Sequence, residues 1–132
     1  APKPPMRKTK NRFKEDHEYR HAYADELLNT MVRTQIRVLR EQRGMSQGDL
    51  ARRIGTTQTA ISRLENVNYS SWNIRTLKKI AEAFDLRLHV SFETFGSLDV
   101  SALNKEALER APSVDEDPGL ASTGKAPGAV AR

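Results

Sequence analysis

Cysteine is missing from the chain altogether. That excludes disulfide staples, thiolate catalysis and cysteine-based zinc or iron sites, so stability has to come from packing. No apolar run reaches the roughly 18 residues a membrane span needs, and no charged-then-apolar leader precedes a cleavage site, so a soluble intracellular protein is expected. A Gly-rich phosphate loop, a nucleophile flanked by a base and a paired acid and base are absent too, so no enzyme, catalytic residue or cofactor is expected. Beyond residue 95 there is too little apolar content for an effector-binding domain. What remains is 132 residues, 37% of them hydrophobic, which is enough for one ordinary domain. Lys and Arg number 22 against 17 for Asp and Glu, a net charge of +5 that suits nucleic acid, an anionic surface or an acidic partner.

The charge is unevenly placed. Residues 1–14 carry six bases, no acid and three prolines, the composition of a disordered basic arm. Residues 15–30 carry five acids against Arg20, with Tyr19, Tyr23, Leu27 and Leu28 at helical spacing, which predicts an acidic amphipathic helix. The folded domain is expected over 15–95. Its core should come from Leu28, Val32, Ile36, Leu39, Leu50, Ile54, Ile61, Leu64, Leu77, Ile80, Ala81 and Phe84. Gly44 and Gly55 are placed to end helices, and Ser46, Thr57 and Asn73 to cap the next ones. Ser46 followed three residues on by Asp49 is a variant of the capping box. From Leu86 the period changes to two: Leu88, Val90 and Phe92 alternate with polar neighbours, predicting a lone β-strand whose open edge pairs with the same strand of a second subunit. The tail over 96–132 is expected to be mostly disordered, with a short helix at 101–111.

Two short helices around a glycine turn, with polar residues opening the second, form the pattern of a helix-turn-helix. The stretch from Ser46 to Asn66 reads SQxxLAxxxGxxQxxISRLEN. Leu50, Ala51, Ile54, Ile61 and Leu64 point to the core, and Gln47, Gln58, Thr59, Ser62 and Arg63 are left outside. From about Gln35 to Leu86 the chain resembles the lambda repressor and Cro family of helix-turn-helix regulators, the XRE type, with Asn73 to Asp85 similar to its fourth and fifth helices. The resemblance implies an all-α fold: a five-helix lambda-repressor-like domain, here with an N-terminal helical extension and one short C-terminal β-strand. It also implies a cytoplasmic, nucleoid-associated protein of bacterial or phage type. Gln47 would then donate to a DNA phosphate and Gln58 would read the N6 and N7 edge of an adenine. A glutamine amide independently has the donor and acceptor that this edge requires, while the Thr59 methyl suits thymine and Arg63 guanine or phosphate. Thr57, Ser62 and Asn66 complete the expected DNA-binding set. Arg40 and Glu65 stand where the family has a structural ion pair. Gly48 inside a helix, and a Val67–Trp72 loop without glycine or lysine, depart from the family pattern.

His17-Glu18-Tyr19-Arg20-His21 matches the HExxH of zinc hydrolases. It offers no third ligand beyond distant His89 and no cleft, so no metal site is expected. Tyr69 and Trp72 should pack the loop against the recognition helix. The expected partners are double-stranded DNA and a second copy of the chain, joined through Leu88, Val90 and Phe92. An alternative is an antitoxin-like or RNA-polymerase-contacting adaptor, which would add a protein partner; a membrane is not expected as one.

Overall fold

The computed structural model describes residues 6–98 and 114–120, and these form five α-helices: α1 (Met6–Glu15), α2 (His17–Gln42), α3 (Gln47–Ile54), α4 (Gln58–Leu64) and α5 (Ile74–Ala83). Single turns of 3-10 helix follow at Phe95–Ser97, Val114–Glu116 and Pro118–Leu120.

The arm expected to lack structure is helical from Met6 onward. Its one aromatic residue explains the difference. Phe13 is buried, edge-on to Tyr23 at 5.2 Å and to Phe95 at 5.5 Å, in an aromatic cluster separate from the main core. Arg12 stacks on the Tyr19 ring at 3.9 Å, and Arg20 donates to the Phe13 carbonyl at 3.0 Å. Arg12 and Lys14 also sit in the last turn, at the negative end of the helix dipole. At Asp16 the backbone turns extended, and its Oδ1 accepts from the Tyr19 N–H at 2.9 Å, capping α2.

The acidic helix does not stop at residue 30. No Gly or Pro occurs between His17 and Gln42, so it runs without a break into the first helix of the domain, a rod about 39 Å long. Leu28, expected in the core, is 53% exposed, while its neighbour Leu27, one turn from Tyr23, is the residue that buries there. The core joins Ile36 and Leu39 of α2, Leu50 and Ala51 of α3, Ile61 and Leu64 of α4, Ile80 of α5 and Phe84 just after it. Leu50 and Ile61 are fully buried.

Asn73 caps α5, accepting from the Thr76 N–H at 2.8 Å. Where the family resemblance implied a fourth and a fifth helix over 73–85, the chain forms this single helix. The expected β-strand does not form within the chain. A ladder needs a second strand, and among the described residues none is present, so Leu88 is half-buried, Val90 is 63% exposed and Phe92 stands fully in solvent. The expected helix at 101–111 lies outside the described residues. Part of the tail expected to be disordered, Val114 to Leu120, forms turns, and the Val114 N–H donates to Asp85 Oδ2 at 3.2 Å.

Gly48 has no conformational reason to be glycine. A Cβ there would meet the Arg52 guanidinium at 3.5 Å and Ser46 Oγ at 3.7 Å, ordinary contacts. Gly48→Ala is therefore expected to stabilise the domain by about 0.5–1 kcal/mol, read as a higher urea midpoint at unchanged slope.

Candidate nucleic-acid interface

α3 begins with a complete capping box. The Ser46 hydroxyl accepts from the Asp49 N–H at 3.0 Å, and the Asp49 carboxylate accepts from the Ser46 N–H at 2.9 Å. These bonds, that backbone N–H first among them, hold the Asp49 carboxyl below its ordinary value, and Arg52 adds an ion pair. Gly55 adopts φ 75°, the left-handed conformation that ends α3, and lets α4 start three residues later at an angle to it. Thr57 caps α4, its hydroxyl accepting from the Ala60 N–H at 3.1 Å.

α4 is two-sided. Ile61 and Leu64 are buried, while Gln58, Thr59, Ser62 and Arg63 face outward. Among the described residues those four side chains make no hydrogen bond or ion pair with the rest of the protein, so their polar groups are available to a ligand. The other three expected DNA-binding residues have structural duties as well. Gln47 opens α3 and donates to Glu65 Oε1 at 3.3 Å, Thr57 is the cap, and the side-chain Oδ1 of Asn66 accepts from the Asn68 N–H at 2.9 Å.

Behind α4 lies the Arg40–Glu65 pair. Arg40 Nε donates to Oε2 at 2.8 Å and a terminal nitrogen to Oε1 at 3.0 Å, while the other donates to the Met45 carbonyl at 2.8 Å. Side-chain exposures of 11% and 6% remove both groups from bulk water. The hydrogen bond to Glu65 raises the Arg40 pKa against the opposing effect of burial. Because Gln47 joins the same carboxylate, α2, the α2–α3 turn, the start of α3 and the end of α4 meet at one point.

The loop after α4 is braced in a way the sequence did not disclose. Trp72 and Tyr69 pack on the core edge, with rings 4.7 Å apart. The Trp72 indole N–H donates to Asn29 Oδ1 at 2.7 Å, and Arg33 donates to the Val67 carbonyl at 3.3 Å. Both partners lie on α2, not on the recognition helix. The one available signal was that a largely buried indole N–H needs an acceptor; nothing local singles out Asn29, 43 residues away. Arg43 is similar, donating to the Phe84 carbonyl at 2.9 Å beyond the end of α5, where burial lowers its pKa.

Leu88 and Val90 run beside Ile74, Lys78 and Ala81 of α5, and are not gathered with the α4 face. In the HExxH segment the His17 and His21 rings lie 4.4 Å apart, and Arg20 donates to His17 Nδ1 at 3.0 Å. Among the described residues no group of three or more His, Cys, Asp or Glu is placed to hold a metal ion, and no helix is long and apolar enough to cross a membrane.

The arrangement of a capped α3, a left-handed glycine turn and a two-sided α4 defines a class. Residues 36–90 match the model of a helix-turn-helix family, the XRE, lambda-repressor type, whose members are DNA-binding regulators. No curated protein and no solved structure matches the chain.

Two outcomes follow from the charges. Arg40→Met strands the Glu65 carboxylate and is expected to cost about 3–5 kcal/mol in urea unfolding, whereas Arg40→Met with Glu65→Leu recovers much of that loss. Asp49→Asn is expected to melt below the wild type at pH 7. A carboxyl whose folded pKa is depressed stabilises above its unfolded value, 3.8, so the difference should close as pH falls from 3.8 through the lower folded value.

Proposed function

We propose that the protein is a sequence-specific transcriptional regulator that acts as a repressor, occupying a palindromic operator as a homodimer. The observation that carries this reading is the outer face of α4, where Gln58, Thr59, Ser62 and Arg63 are exposed and unengaged while Ile61 and Leu64 lock the helix to the core. Placed in a major groove, Gln58 offers the bidentate amide that matches adenine, the Thr59 methyl lies against thymine, and Ser62 and Arg63 reach further bases or phosphates. Gln47 and Thr57 donate to phosphates from the two helix starts, where the dipoles favour an anion, and Asn66 does so from the end of α4. Two domains related by a two-fold axis read half-sites one helical turn apart, about 34–36 Å.

The adaptor reading draws on the chain before residue 36. There α1 and the acidic half of α2 build an aromatic cluster, and Leu28 stays exposed on α2. A toxin-like or polymerase partner would bind that face while the α4 face still binds DNA.

Fluorescence anisotropy on the DNA upstream of the protein's own gene, against a scrambled duplex of equal length, tests the first reading. Binding at least about a thousandfold tighter to the native duplex is expected, and Gln58→Ala should then lose about 1–3 kcal/mol on it and little on the scrambled one. Equal losses on both duplexes would remove Gln58 from base recognition. Equally weak, salt-sensitive binding to both by the wild type would favour the adaptor.

A further inference from the structure

The segment from Arg87 to Glu93 carries a charge and apolar pattern that is symmetric about Val90. Arg87 and Glu93 lie three residues to either side, Leu88 and Phe92 two, His89 and Ser91 one. In an antiparallel pair of identical strands centred on Val90, each residue faces the one that completes its pair: Arg87 meets Glu93 of the second copy, Leu88 meets Phe92, His89 meets Ser91, and the two Val90 side chains meet on the axis. Facing residues lie about 4.5–5.5 Å apart at Cβ, close enough for all these contacts. Within one strand Arg87 and Glu93 are about 20 Å apart and cannot meet.

The structure leaves this segment ready for such a partner. Among the described residues no backbone hydrogen bond involves 87–93, so a full row of donors and acceptors is open. Arg87 has no ion pair, and Glu93 accepts only a 3.4 Å bond from Ser97 through Oε2, which leaves Oε1 unengaged. Phe92 is 104% exposed and Val90 63%, beside Ile74 at 52%, which adjoins Leu88 and Val90 along α5. Pairing puts Leu88, Val90 and Phe92 of both copies on one face, a six-residue apolar stripe that covers Ile74, and puts the charged pairs on the other.

We infer that residues 87–93 form a two-stranded antiparallel sheet with a second copy of this chain, in the register that sets Val90 against Val90 and Arg87 against Glu93. The inference rests on the homodimer reading and on the strand pairing expected from the sequence, and adds the register and the charge pair that fixes it. Arg87 and Glu93 are both exposed, so their exchange does not disturb the core.

Full-length protein examined by sedimentation supplies the test. Arg87→Glu and Glu93→Arg should each weaken dimerisation about tenfold or more, since every dimer contains the altered pair twice, and the double exchange should restore it. The chain has no cysteine of its own, so Val90→Cys should oxidise to a covalent dimer, because facing residues fall within disulfide reach. His89→Cys should not, because its two copies are offset by two residues, about 7–8 Å apart. A dimer unaffected by either single exchange, with no Val90→Cys cross-link, overturns the register and leaves the homodimer standing. A wild type that is monomeric when free and when bound to its operator overturns the homodimer itself.

Discussion

A single carboxylate organises the helix-turn-helix of this protein. Glu65 ends the recognition helix and receives Arg40 from α2 and Gln47 from α3, while Arg40 also holds the Met45 carbonyl in the turn between them. Taking two charges out of water is costly, and a well-packed apolar replacement often serves stability as well. What an apolar replacement lacks is direction. The guanidinium fork accepts only one arrangement of α4 against α2, and the bond to Gln47 passes that arrangement on to the start of α3. The apolar core around Leu50 and Ile61 supplies the cohesion, and the ion pair supplies the angle at which the outer face of α4 is presented.

What could be read from the sequence was local. Ser46 with Asp49, the left-handed glycines and the division of α4 into Ile61 and Leu64 inside and Gln58 and Ser62 outside each depend on residues within a turn or two. Errors came wherever distant segments decide. Composition alone makes the arm disordered, yet Phe13 finds Phe95 across more than eighty positions of chain. Leu28 has the right spacing for the core and misses it while Leu27 beside it is buried, because spacing specifies a stripe of the helix and not which edge of it the rest of the chain covers. The alternation over Leu88, Val90 and Phe92 marks a strand-forming segment, but a strand exists only with a partner, and among the described residues none is present.

The continuous α2 joins parts that the sequence suggested were separate. Its first half holds α1 and the aromatic cluster, its middle holds the α4–α5 loop through Asn29 and Arg33, and its last turns hold the ion pair.

The bond between Trp72 and Asn29 has an optical consequence. Trp72 is the only tryptophan in the chain, and its indole sits between the loop that follows the recognition helix and the rod that braces it. Light absorbed at the red edge of the protein spectrum is therefore emitted from one place, the joint between α2 and the loop after α4. The colour and anisotropy of that emission follow the joint directly, so the unlabelled protein carries its own gauge of whether the loop holds its position or shifts when the α4 face is occupied.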